Sequence, residues 1–297
     1  MPSLCVLDVG HGNCAVLRDS KGIIVIDAGG PGPFLLEHLN DSGTKEISIL
    51  LLSHADEDHI GGALALLSDL KVRIDEVYLN PDAAKKTAIW DDLLYVLYDR
   101  HKRGKISFEI SLTTALTGKL DRGYVRLEVL APNQYIVGKG SGSKDRKGRK
   151  LTSNSISAVF RLTFQGIPFA MLSGDIDATA LDNLLEDFAD IRSWLSVFPH
   201  HGGRPGSSKV EEFIARYCKV VAPEKIVFSV GTNTNHFPTQ VVVDTIAGCL
   251  ENVSMYTTQS SGVLKEYIKR FEKCTHMDAV GNVFVEFDAK SPRLRFD

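Results

Sequence analysis

Long apolar runs are missing from this sequence. No stretch approaches the roughly 18–20 continuous apolar residues a membrane-spanning helix needs, and the opening MPSLCVLDVG lacks the basic and apolar regions of a secretory signal. A cytoplasmic protein with no membrane partner is expected. Cysteine is scarce. Cys5, Cys14, Cys218, Cys249 and Cys274 are odd in number and never spaced as CxxC, which signals neither a disulfide framework nor a thiolate zinc knot. Neither charge dominates, with 34 Lys and Arg against 37 Asp and Glu and a net charge of −3. Nothing attracts nucleic acid or anionic lipid globally, so such a partner must be met locally. Serine-hydrolase elbows and Cys/His protease signatures are also missing, which speaks against a protein nucleophile, and without a Walker loop the signal for nucleotide cradling is weak.

What remains is apolar material for a sizeable core, 43% of 297 residues. The spacing predicts one α/β domain over 1–297. Short β-rich runs stand at 4–9, 14–18, 23–27, 47–53, 75–79, 124–130, 155–164, 167–173, 194–198, 226–230 and 282–287. Helical spacing appears at 33–40, 61–70, 83–102, 177–189, 208–217 and 238–250. Strands with interleaved helices predict mixed sheets covered by helices. Residues 138–150, GKGSGSKDRKGRK, are too polar and glycine-rich to pack, and are expected to form a flexible basic loop inside the domain.

The run LLSHADEDHIGG, 51–62, ends an apolar strand in two histidines and three acids within six residues. A helix cap needs one acid. His54, Asp56, Asp58 and His59 in a tight turn after a strand are instead a set of ligands for a borderline-to-hard divalent metal.

The HxDxDHxGG pattern resembles the metal signature of the metallo-β-lactamase superfamily, in the variant of the ComEC-type competence domain. LDVGHGNCAVL, IIVIDAGG, NSISAVFRLTF, MLSGDI, VFPHHGG and SVGTNTNHFP extend the resemblance along most of the chain. It departs at His11, where glutamine is usual, at Phe237, inserted before Pro238, and in lacking the membrane helices of the competence protein. The resemblance implies an αββα sandwich of two mixed β-sheets, with the cluster at the sheet edge. It also implies two divalent cations, with Asp175 bridging them. Asp56 in place of an imidazole hardens the site toward zinc or manganese. Asn154 stands where other members supply a further histidine, leaving one metal position short of a ligand.

Other residues carry alternatives. Asp27, at the end of an apolar strand, is expected to bond the backbone of the metal loop; otherwise it is a turn aspartate. Asp177, near Asp175, reads as a helix cap. Adjacent His200 and His201 cannot easily point the same way, so His200 is expected to ligate while His201 orients or contacts substrate. His11 is grouped with Asp27 and His201 as a supporting or alternative ligand. His236 is a substrate-side general acid or a surface histidine. Catalytic roles are expected for Asp58, Asn154 and His236. Two cations would activate a water and stabilise charge on a phosphoryl or carbonyl oxygen.

The resemblance implies phosphodiester hydrolysis of DNA. Lys144, Arg146, Lys147, Arg149 and Lys150 would grip phosphates, although no aromatic residue among them offers a stacking platform. The other readings are a hydrolase of a small phosphoester, lactone or β-lactam-like substrate, and a metal-stabilised binding module without activity. A partner protein is expected to supply specificity.

Overall fold

The computed structural model describes all residues except 31, 207–208, 233–235, 261–263, 265–272, 288–291 and 297. Part of the SVGTNTNHFP stretch and the start of the helix expected at 208–217 therefore lie outside the described residues. Strands β1 (Ser3–Val6), β2 (Ala15–Asp19), β3 (Gly22–Ile26), β4 (Glu46–Leu51), β5 (Arg73–Tyr78) and β6 (Ser107–Glu109) run through one sheet. A second sheet takes β7 (Val125–Ala131), β8 (Val159–Phe164), β9 (Ile167–Leu172), β10 (Leu195–Val197), β11 (Lys225–Phe228), β12 (Ser254–Thr257) and β13 (Thr275–Met277). The chain then returns to the first sheet with β14 (Val283–Phe287) and β15 (Pro292–Phe296) beside β1. The helices are α1 (Phe34–Asp41), α2 (Glu57–Ile60), α3 (Ala63–Ser68), α4 (Ala88–Lys102), α5 (Gln134–Lys139), α6 (Ala178–Asp187), α7 (Val210–Val221) and α8 (Gln240–Cys249).

Both sheets are mixed. β1, β2 and β3 pair antiparallel, β1 and β2 across the loop 7–14 and β2 and β3 through a short turn, whereas β3 to β6 pair parallel. The second sheet repeats the plan, antiparallel from β7 to β9 and parallel from β9 to β13. Parallel neighbours need crossovers, and helices supply several of them. Side-chain alternation then sorts the core. Ile49 and Leu51 of β4 face the other sheet with Leu4, Val6, Leu127, Phe160 and Leu172, while Leu50 between them faces Leu35, Leu66, Leu93 and Leu97 of α1, α3 and α4. Burial on both faces explains why β4 reads as a continuous apolar run. On the far side Met171 and Ile226 meet Leu181, Phe213, Tyr217 and Ile246 of α6, α7 and α8. The expected αββα sandwich is the fold.

Its parallel strands set the site. β3, β4, β9, β10 and β11 point their carboxyl ends toward one edge of the sandwich, delivering Asp27, His54, Asp175, His200 and Ser229 there. Crevices at the carboxyl ends of parallel strands are where such sheets present loops for chemistry.

One element departs from expectation. The 138–150 segment is not an unpacked loop. Gly142 N–H donates to Leu151 O and Leu151 N–H to Ser143 O, and Lys144 bridges Lys150, which closes a narrow hairpin. At its tip buried Asp145 accepts from the Lys147 and Arg149 amides at 2.9 and 2.8 Å and from Arg149 Nε at 2.7 Å. Arg149 also pairs with Asp182 of α6, and Arg146 and Lys147 pair with Glu186 of the same helix. Charge pairing, which composition does not reveal, seats the segment.

Candidate metal centre

Three backbone loops meet at unusually close range. Asn13 N–H donates to Asp58 O at 3.0 Å, Gly29 N–H to Asn13 O at 2.9 Å and Ala28 N–H to His59 O at 2.8 Å. A Cβ on Gly12 or Gly29 would stand 2.4 or 1.9 Å from Asp58 O, so these positions admit only glycine. Asp27, His200 and His201 take left-handed backbone, with φ of 59°, 53° and 56°. Such conformations cost on the order of 1–3 kcal/mol each and persist only where their surroundings over-determine them.

Each surrounding bond aims a ring. His59 Nδ1 lies 2.7 Å from Asp27 Oδ2, and Asp27 Oδ1 accepts from the Ser53 amide at 2.7 Å, so one carboxylate fixes both the metal loop and its histidine. His201 Nδ1 lies 2.8 Å from Ser229 O, and turns Nε2 to within 3.1 Å of Asp58 Oδ2. With an acceptor holding one nitrogen of each ring, the opposite nitrogen carries the lone pair, the arrangement typical of metal-bound histidine. Asp175 sits between the rings, its Oδ1 3.2 Å from His59 Nε2 and 3.8 Å from His201 Nε2, and its Oδ2 3.3 Å from His200 Nδ1. His11 joins from the β1–β2 loop, Nε2 3.6 Å from Asp58 Oδ2 and its ring 4.6 Å from that of His201.

Electrostatics follow from this packing. Burial raises the Asp175 carboxyl, but His59, His201 and His200 outweigh it and hold the group well below the usual carboxylate range. Burial likewise lowers His59, yet Asp175 and Asp27 lift it well above its ordinary value. For His54 the balance goes the other way: burial and the neighbouring His59 outweigh Asp175, Asp56 and Asp27 and push it down to about 4.

The donor set fits a cation. Asp58, His59, Asp175 and His201 each offer one ligand atom, and all four atoms lie within 4.8 Å of one another. Donors about 2.1 Å from a zinc ion stand no more than about 4.2 Å apart, so a small contraction suffices. His59 Nε2 is buried without a hydrogen-bond partner, as are His54 Nε2 and His200 Nε2.

The expected residues are thus brought together unevenly. His201 enters the four-membered group, whereas His200, the ligand preferred from sequence, stays outside it with Nδ1 3.3 Å from Asp175 Oδ2. Consecutive left-handed residues splay the two rings, and Ser229 O captures His201. His54 and Asp56 stand on the other side of His59, where Asp56 Oδ1 is 3.9 Å from His54 Nε2 and 2.6 Å from the Lys85 ammonium. Asn154 lies near them, lining with Asp56, Ser153, Asp177 and Pro205 a cleft of about 370 Å³. His236 is exposed, and no hydrogen bond or ion pair joins it to the cluster among the described residues. Asp177 caps α6 by accepting from the Ala180 amide at 2.9 Å. None of Lys144, Arg146, Lys147, Arg149 and Lys150 lines the cleft beside Asp56. Sequence reasoning missed Lys85, in PDAAKK, which no motif flags, and Ser53 and Ser157, whose hydroxyls stand 3.1 and 3.3 Å from His54 Nδ1.

Residues 7–143 match the metallo-beta-lactamase superfamily model. Among curated proteins the chain is 24% identical over 284 residues to ComE operon protein 3 of Bacillus subtilis, covering 88% of this chain and 32% of that protein. It is 22% identical over 268 residues to competence protein ComA of Neisseria gonorrhoeae, covering 89% of this chain and again 32% of the relative. The chain therefore spans about a third of the length of these relatives. Among solved structures, a diphosphatase of the PhnP family aligns over the full length of both chains with a TM-score of 0.53 at 11% identity. The metallo-β-lactamase fold protein YhfI from Bacillus subtilis aligns over 86% of this chain and 97% of its own with a TM-score of 0.52 at 11% identity.

Proposed function

We propose that this chain, which has the metallo-β-lactamase fold, is a metal-dependent hydrolase that cleaves phosphodiester bonds in DNA. The observation that carries the reading is the convergence of Asp58, His59, Asp175 and His201, with both histidines oriented by acceptors on their far nitrogens. A divalent cation, zinc or manganese, held there supplies Lewis-acid charge and lowers the pKa of a water toward neutrality. The chain's own residues do the rest. Asp27 keeps His59 in the ligating tautomer, Ser229 does the same for His201, and Asp58 and Asp175 bring the negative charge a dication needs. No protein nucleophile enters the reaction. The cleft beside Asp56 is the space from which a substrate reaches the cluster, with Ser153 and Asn154 offering hydrogen bonds.

The similarity to competence proteins supports DNA as substrate, and a partner protein would supply sequence or strand selectivity. Elemental analysis, with activity on labelled single-stranded DNA, a generic phosphodiester and a chromogenic β-lactam, tests the reading. DNA and the phosphodiester should be cleaved, chelation should abolish cleavage, and added zinc or manganese should restore it. Cleavage of the β-lactam alone would overturn it.

A further inference from the structure

We infer that the centre holds one divalent cation and that the Lys85 ammonium takes the place of the second. This rests on the metal reading above and deepens it. The carboxylate oxygen of Asp56 that would face a cation beside His54 is already held by Lys85 Nζ at 2.6 Å, with His54 Nε2 3.9 Å from the same oxygen. An ammonium at hydrogen-bond distance compensates Asp56 as a dication would, with three donors and no coordination geometry to satisfy.

Lys85 is seated there by construction. Buried Asp82 accepts from the Ala84 and Lys85 amides, each at 3.1 Å, fixing the turn that carries the lysine. The same carboxylate accepts from the hydroxyls of Ser141 and Ser153, and Ser153 precedes Asn154 in the chain. One buried acid thereby locks Lys85 against the segment that lines the cleft. Only 22% of the Lys85 side chain and 32% of the Asp56 side chain are exposed, so bulk water screens the pair only in part.

The donor set agrees. The group within mutual ligand reach omits His54, Asp56 and His200. On the Lys85 side stand the His54 imidazole and an already paired carboxylate, with the neutral amide of Asn154 lining the same cleft as Asp56. A dication there would have to displace Lys85 and accept a weak amide donor. The ammonium also puts a fixed positive charge beside the cleft, where charge develops on a phosphoryl oxygen.

Metal stoichiometry decides the matter independently of substrate. Metal-free full-length protein is titrated with Zn²⁺ and with Mn²⁺ by calorimetry, and the bound metal is counted after desalting. Wild type should bind one equivalent per chain. Lys85→Met should bind the first equivalent as before and a second, weaker one, because Asp56 is released. Lys85→Arg should stay at one equivalent, and Asp56→Asn should keep the first with unchanged affinity. Two equivalents of similar affinity in wild type would overturn the inference while leaving the hydrolase reading intact. One equivalent in both wild type and Lys85→Met would overturn the role given to Lys85. No bound metal at all would sink the reading on which the inference rests. Should Lys85→Met fail to fold, the wild-type count and Asp56→Asn still decide it.

Discussion

Residues 54–59 and 144–150 are both dense in charge, and the fold treats them in opposite ways. In the hairpin, Arg146, Lys147 and Arg149 find acids in Glu186, Asp182 and Asp145, so its charge is largely answered within the chain. Around the 54–59 turn, Asp58 and Asp175 meet only histidine side chains among the described residues, and two of those rings, His59 and His201, are already committed through their other nitrogens to Asp27 and Ser229. Charge density alone does not mark a site. The informative feature is charge that the surrounding fold leaves for something outside the chain to answer, which costs free energy unless a ligand arrives.

The sharpest way to break this contrast is to remove one of the unanswered acids. Asp58→Ala or Asp175→Ala should lower hydrolysis by on the order of 10³-fold or more, since several kcal/mol of charge stabilisation depend on the cation. Bound metal should fall with it. The sandwich should survive, because the layer between the sheets, built from residues such as Leu127, Phe160 and Leu172, does not touch the metal. Unchanged metal content in both variants, measured beside circular dichroism, would refute the assignment. A smaller effect is expected one shell out. Asp27→Asn keeps the shape but weakens the hold on His59 and Ser53, and should cost roughly 10–100-fold in metal affinity, read by titration against a chelator.

These residues also show how far the sequence could be read. The long buried strands and the amphipathic helices announce themselves through periodicity, and His54, Asp58, His59 and Asp175 through clustering at strand ends. Strands β6, β13 and β15 escape because exposed or half-buried residues leave no apolar run, and β12, SMYT, holds only two apolar residues between hydroxyls. The choice between His200 and His201 turns on a left-handed backbone pair and one carbonyl contributed by Ser229, 28 positions further on. Lys85 lies 29 positions from Asp56 in an ordinary polar turn. Partners that far apart are joined by topology, which residue type and spacing do not encode.

For the hairpin, the contrast is sharpened by testing whether its answered charges hold it in place. Asp145→Ala removes the acceptor shared by the Lys147 and Arg149 amides and the Arg149 side chain. Trypsin, which requires an extended, accessible backbone at Arg or Lys, should then cut within 144–150 several-fold faster than in wild type, because local opening limits cleavage. Equal cleavage rates would mean that the hairpin opens as readily with its clamp as without it.

The smallest effect concerns the basic residues that the fold does not answer. No ion pair holds Lys144 or Lys150 among the described residues, whereas Arg146, Lys147 and Arg149 are engaged with acids of the hairpin and α6. A lysine free of an internal partner gives a full counterion-release contribution when it meets a phosphate, while a paired one must first surrender its carboxylate. If DNA crosses the hairpin, Lys144→Gln with Lys150→Gln should raise KM on DNA and flatten its salt dependence, by about 0.7 in logarithmic slope for each single-strand phosphate left without its lysine. Turnover at saturation should hold, since the hairpin grips while the cluster does the chemistry. Arg146→Gln with Lys147→Gln should change KM less, because those charges are bound to Glu186. A generic phosphodiester too small to reach the hairpin should be cleaved equally by all three proteins. An equal loss on both substrates would mean that the hairpin shapes the catalytic cleft itself, and a larger effect from the paired residues than from the free ones would show that DNA breaks the ion pairs when it binds.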